Sequence, residues 1–209
     1  MELVPLDPVH FFALQCDCLY IKNDRLEKKH FLPDVSLFYE QLPFAEVALG
    51  WHEKGIQFEA HLNGPFNKPD FPNFAAADSI ELFFDTRDVK TTGYITRFCH
   101  HFYFLPNPVT HEETLQAGEI TRFRSDDVHA LCDSSLLRVK AEVMKKRCRV
   151  KIFIPSECLH GYDPIQFDRL GFTYRINRID GASQNFSASG ADFSIESQPS
   201  LWASFKLVL

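Results

Sequence analysis

No apolar run in the 209 residues approaches the roughly 20 that cross a bilayer, and no long segment keeps a helical stripe. Positive charge is also scarce. Lys and Arg number 22 against 28 Asp and Glu, a formal net charge of −6, which argues against nucleic acid or an anionic membrane surface as partner. The opening Met1-Glu2-Leu3-Val4-Pro5-Leu6-Asp7 lacks the basic and apolar regions of a signal peptide, so a soluble, cytoplasmic protein is expected. Neither Gly-x-Ser-x-Gly, a phosphate-binding loop nor a dinucleotide fingerprint is found, and nothing in the sequence demands an enzyme. Internal repeats, low-complexity tracts and composition breaks are lacking too, so residues 1–209 are read as a single domain.

What the chain has is phenylalanine, 21 times, and proline, 12 times, a composition that favours strands and turns. Alternation of period two predicts strands over His10–Tyr20, Ser79–Thr86, Arg97–Leu105, Glu119–Arg124, Leu136–Lys145, Arg147–Ile154, Gly171–Ile179 and Trp202–Val208. A hairpin joins Glu46–Trp51 to Ile56–Leu62 through His52-Glu53-Lys54-Gly55. Long loops are expected over Gly64–Ala77, Pro106–Gly118 (with a helical turn at His111–Gln116), Ser156–Arg169 and Asp180–Ser200. Without crossover helices a parallel α/β fold has no connections. The fold class is therefore all-β: a two-sheet antiparallel β-sandwich, jelly-roll-like, with long connecting loops and few short helices. The six cysteines, Cys16, Cys18, Cys99, Cys132, Cys148 and Cys158, show no disulfide-framework spacing and read as reduced, mostly buried thiols.

Sorting strand residues by side leaves an unusual set away from the core. Ile80, Leu82 and Phe84 form one apolar face, which puts Glu81, Phe83 and Asp85 opposite; Arg97, Cys99, His101 and Tyr103 stand opposite Phe98, Phe102 and Phe104. Arg175 and Asn177, with Thr173, form the polar side of a third strand, and Trp202 shares its side with Ser204 and Lys206. Neighbouring strands would thus gather carboxylates, guanidinium groups, an amide and aromatic rings, the chemistry a saccharide needs for stacking and bidentate hydrogen bonds. Equally, these groups would satisfy one another as an Arg–carboxylate network on an ordinary polar face. Glu81 and Asp85 lie ~13 Å apart at Cα, so a carboxylate pair for glycoside hydrolysis is a weaker reading. No cofactor is required. Calcium would suit the loops bearing Asp70, Asp78, Asp85 and Asp88, and zinc is the alternative if Cys99 and His101 met Asp85 or Glu81. The basic run Lys145-Lys146-Arg147 reads as a solvated hairpin turn.

The stretch Asp78-Ser79-Ile80-Glu81-Leu82-Phe83-Phe84-Asp85-Thr86-Arg87-Asp88 resembles the strand and turn of carbohydrate-binding module family 9-like domains, in the DOMON-like group of β-sandwiches. Leu49-Gly50-Trp51-His52-Glu53-Lys54-Gly55-Ile56, Val150-Lys151-Ile152-Phe153-Ile154-Pro155 and Leu170-Gly171-Phe172-Thr173-Tyr174-Arg175-Ile176 resemble the same family in the same order. The resemblance implies two antiparallel sheets, glycan binding without catalysis, and structural calcium. It also implies a pair of tryptophans around the sugar, whereas here Trp51 patterns with the core and only Trp202 is left to stack. A saccharide-binding domain using Glu81, Phe83, Asp85, Arg97, His101, Tyr103, Arg175, Asn177 and Trp202 is thus the first expectation. An intracellular protein-interaction module is the second, its partner met by loop aromatics such as Phe66, Phe71, Phe74, Phe186 and Phe193.

Overall fold

The computed structural model describes residues 14–23, 25–36, 42–90, 93–107, 116–188 and 193–209. They form eleven strands: β1 (Gln15–Tyr20), β2 (Ala45–His52), β3 (Gly55–Asn63), β4 (Ser79–Asp85), β5 (Cys99–Phe104), β6 (Ala117–Glu119), β7 (Arg138–Met144), β8 (Arg147–Pro155), β9 (Arg169–Asn177), β10 (Ser183–Asn185) and β11 (Ala203–Val208). The helical pieces among the described residues are three-residue 3-10 turns. The fold is all-β, as expected, and jelly-roll-like in its arrangement. The sheet, however, is mixed, running β6-β5-β4-β9-β11-β1-β2-β3-β8-β7 with β10 on β9. An all-antiparallel reading fails at β1, which pairs in parallel with β11 (Cys16 opposite Phe205) and with β2 (Tyr20 opposite Trp51). Parallel pairing demands a long connection. The segment between β1 and β2, and the whole chain between β1 and β11, supply it.

Three other elements, β5, β6 and β10, differ from the expected bounds. Residues 10–13 of the first expected strand, and 111–115 of the expected helical turn, lie outside the described residues. β5 starts at Cys99 because the preceding residues form a turn, with Cys99 N–H donating to Thr96 O. β6 occupies Ala117–Glu119, before the expected Glu119–Arg124, because the pairings Phe104–Ala117 and Phe102–Glu119 end there. β10 lies inside an expected loop, turned back on β9 through Gly181, whose φ of +87° suits a residue without a side chain.

The sheet folds over on itself, so that β3 faces β9 across the core: the rings of Phe58 and Phe172 are 6.5 Å apart, those of Phe58 and Tyr174 6.0 Å. Phe172 also meets Phe84 at 4.9 Å and Phe205 at 5.3 Å. Alternation places these inward: Ile80, Leu82 and Phe84 of β4, Ile56, Phe58, Ala60 and Leu62 of β3, and Trp51 of β2 are all buried. Glu59 departs from the pattern. Alternation with Phe58 and Ala60 puts it on the outer side, yet it is buried, held by Arg149 (Nε 2.8 Å) and His61 (2.5 Å). The expected set of free thiols also needs correction, since Cys132 and Cys158, 26 residues apart, form a disulfide that ties the segment before β7 to the one after β8. Cys18, Cys99 and Cys148 are buried free thiols.

Because Phe172 sits among four rings, Phe172→Ala should remove ~3–5 kcal/mol of stability. Urea unfolding should show a lower midpoint with an unchanged slope.

Candidate ligand-binding face

On the side of β5, β4 and β9 away from the main core, register lines up two rows of side chains. The first runs Gly118–Tyr103–Glu81–Arg175–Asn185 and the second His101–Phe83–Thr173. Gly118 is needed there, because a Cβ at that position would come within 2.8 Å of the Tyr103 ring. The loop 64–77 and the segment 193–201 flank the rows, and a second, smaller apolar cluster of Phe83, Ile95, Cys99, Ala188, Ile195, Leu201 and Trp202 fills part of the space between.

Glu81 is the hub. Its carboxylate accepts Arg175 Nε (2.8 Å) and Nη2 (2.9 Å), Asn177 Nδ2 (2.8 Å), and His101 Nε2 at 2.8 Å. Burial by itself would raise the pKa of this carboxyl. The hydrogen bonds from His101 and Arg175, together with their charge, outweigh it and hold the pKa at about 2. Arg175 is pushed the other way, upward, since its bonds and charge contacts with Glu81 and Glu196 exceed the cost of its burial. Its side chain keeps 18% exposure, and Nη1 lies 3.6 Å from Glu196 at the edge of the face.

Of the nine expected site residues, five gather: Glu81, Phe83, His101, Arg175 and Asn177. Phe83 is covered by His101, stacked at 4.2 Å. Tyr103 adjoins them in the first row, with Phe74 stacked on it at 5.1 Å and Phe71 at 5.5 Å. Asp85 does not join. Its carboxylate accepts the N–H groups of Arg87 (3.0 Å) and Val89 (2.8 Å), closing the turn after β4. Arg97 lies before β5, 54% exposed, and pairs with Asp127. Trp202, expected to be free to stack, is fully buried: two 3-10 turns, Ile195–Ser197 and Pro199–Leu201, fold over it, and its indole N–H donates to Ile195 O at 2.7 Å. A buried indole needs an acceptor for that N–H, and the loop backbone supplies it. Trp51 is in the core, as its pattern implied.

Of the loop aromatics expected at an interface, Phe66 and Phe186 are buried and Phe74 and Phe193 partly so; Phe71 remains 39% exposed. The acidic loop residues meet N–H groups and a lysine. Asp78 accepts Asn67, Lys68 and Ile179 N–H, Asp70 accepts Asn73 Nδ2, and Asp88 pairs with Lys90 at 2.7 Å. Cys99 Sγ lies 3.5 Å from Thr96, and His101 is spent on Glu81. Among the described residues the group that brings three metal-ligand atoms together is a different one, His100, Glu119 and His129. The sequence held two hints of it: His100 stands among inward-facing phenylalanines, and Glu119 follows an apolar Ala-Gly step on a short strand.

The fold is that of solved carbohydrate-binding modules. A family 9 carbohydrate-binding module from Caldicellulosiruptor kristjanssonii in complex with cellotriose superposes with a TM-score of 0.60 at 15% identity, covering 93% of each chain. A glucose complex of a family 9 module from the same organism gives 0.61 at 16% identity, covering 92% of this chain and 95% of that one. A protein from Bacteroides uniformis described as a putative carbohydrate-binding protein gives 0.57 at 7% identity, over 93% and 98%. No protein-family model and no curated protein sequence matches the chain. At these identities the likeness establishes the fold, and the expected resemblance to family 9 modules is borne out at that level over most of the chain.

The lowered pKa of Glu81 makes acid sensitivity a direct readout. A carboxyl whose folded-state pKa lies below its unfolded value near 4.5 contributes stability above that value and loses it as pH falls toward about 2. Wild type should therefore lose stability between pH 4.5 and 2 more steeply than Glu81→Gln, in urea titrations at each pH. At pH 7 the Gln variant, which leaves Arg175 partly buried without its carboxylate, should be ~3–5 kcal/mol less stable.

Proposed function

We propose that the chain is one non-catalytic β-sandwich domain, two sheets packed face to face, that binds a saccharide or similar polyhydroxylated ligand at the mouth of the β5–β4–β9 face. The observation that carries this reading is the Glu81 network. It holds the Arg175 guanidinium in one orientation, between a buried carboxylate and the partly exposed Glu196, with the half-exposed Phe71 ring packed against Tyr103 in the same row. A guanidinium fixed by a bidentate carboxylate loses little entropy on meeting a hydroxyl pair, and an aromatic ring offers the pyranose face its stacking surface. Phe71, in place of the buried Trp202, is the platform; Glu81 and Asn177 act by orienting Arg175, not by touching the ligand. The likeness to modules described in complex with cellotriose and glucose supports a binding role of this class.

A second reading has its own observation. Glu81 is already met by four donors and Trp202 is sealed, as in a sandwich that has kept the fold and serves as a protein-interaction module without sugar binding.

Thermal unfolding against mono- and oligosaccharides separates the two. A saccharide at ten times its Kd adds ~1.4 kcal/mol, a shift of roughly 3–6 °C for a domain of this size. The shift should be lost in Phe71→Ala and in Arg175→Ala, with Phe71→Ala unfolding at the wild-type temperature when no sugar is present. No shift with any saccharide selects the second reading.

A further inference from the structure

Three glutamates on strands are buried: Glu59, Glu81 and Glu119. Arg149 neutralises the first and Arg175 the second. Among the described residues, the ion pairs of Glu119 are with histidines alone: His100 Nδ1 and His129 Nε2 each lie 2.9 Å from the same oxygen, Oε1. All three side chains are essentially inaccessible to solvent.

The far side of each imidazole decides which nitrogen carries the proton. His129 Nδ1 is 2.6 Å from Arg97 O, and His100 Nε2 is 3.4 Å from His160 O. A carbonyl only accepts, so the 2.6 Å contact calls for the hydrogen on His129 Nδ1, and His100 Nε2 is placed to donate across its longer contact. With the rings in that tautomer, the nitrogens facing Glu119 Oε1 are lone-pair ends, pointed at an oxygen that is itself an acceptor. Two arrangements relieve that. Both rings could be protonated, placing two buried cations with ring centroids 4.4 Å apart beside one carboxylate. Alternatively, one divalent ion could accept all three lone pairs. The second supplies the countercharge Glu119 lacks and avoids the like-charge contact.

The surroundings match a metal's outer shell. Histidine ligands ordinarily donate their remote N–H to a carbonyl, as both do here, and ligating carboxylates are themselves hydrogen-bonded. Thr121 Oγ1 donates to Glu119 Oε1 at 2.7 Å and the Cys132 N–H to Oε2 at 2.7 Å. The His129 loop is pinned where it must be: Asp127 takes the Arg97 side chain and also its N–H, at 3.3 Å. Bonds of 2.0–2.1 Å separated by 90–110° place ligand atoms roughly 2.9–3.3 Å apart, which the two N–O distances meet. Two imidazoles and one carboxylate suit zinc or a related transition metal, not calcium, which prefers oxygen alone.

We propose that His100 Nδ1, Glu119 and His129 Nε2 form a zinc-type metal site on the edge of the sheet, separate from the saccharide face. Among the described residues no fourth metal-ligand side chain joins the three, so water completes the shell.

The test uses the full chain. After treatment with a chelator and dialysis, added zinc should bind at about one equivalent per chain and raise the unfolding temperature by ~5–10 °C, while calcium should not. Cobalt(II) in its place should give visible d–d bands. His129→Ala, whose residue lies on a loop, and Glu119→Gln should each abolish both effects, with folding checked by circular dichroism. If Glu119→Gln does not fold, His129→Ala decides. Phe71→Ala should bind zinc as wild type does, so failure of the saccharide reading leaves this one standing. Zinc that is not retained, or that is retained equally by His129→Ala, overturns the proposal. So does a nitrogen-15 spectrum showing both imidazoles doubly protonated in zinc-treated protein.

Discussion

A carboxylate without water must be met by donors, and much of this protein's polar design follows from that one constraint. Glu81 sits within β4 with no solvent, so β9 must bring Arg175 directly opposite it and Asn177 from the next position along the same face, and β5 must bring His101 from the neighbouring row. A slip of one residue in either pairing would turn those donors to the opposite face. The polar row therefore reinforces the register that the phenylalanines on the core side also require, and the two faces of β4 specify the same pairing independently.

The three buried glutamates solve the same problem with different partners. Glu59 and Glu81 use an arginine each and become closed ion pairs with supporting histidines. Glu119 uses two histidines held by backbone carbonyls, which leaves its charge balance to something other than a guanidinium. The arginine networks have their donors built in and act as fixed scaffolding. The Glu119 cluster has its ligand atoms converging on one point, and the proposed metal site rests on that difference in charge balance.

Much of the fold was legible because strand alternation is a local signal. The β2–β3 and β7–β8 hairpins, the inward set of β4 and the core placement of Trp51 all follow from period two and the turn residues. The parallel seams of β1 were not legible, since partners about 30 residues away in β2 and about 190 away in β11 leave no mark on the strand itself. Burial of Trp202 depended on two short turns folding over it, and burial of Glu59 on a cross-strand arginine; neither is visible in alternation, which reports side but not cover. Of the candidate site, the Glu81, His101, Arg175 and Asn177 set could be read because its members lie on regular strands. The His100, Glu119 and His129 set could not, because one member is in a loop and the inward position of His100 resembles ordinary core.

The seam at β11 has a further consequence for how the chain is made. β11 lies between β9 and β1, in the middle of the sheet order, yet it is the last strand in the sequence. As the polypeptide leaves the ribosome, β4, β5 and β9 can pair with one another, and so can β2, β3 and β8, but nothing joins the two groups through the backbone until Ala203–Val208 has emerged. Until then β9 and β1 each present an open edge able to capture a strand from a neighbouring chain. This six-residue strand is thus what converts two half-sheets into a continuous one, and synthesis that stalls just short of it leaves an aggregation-prone intermediate.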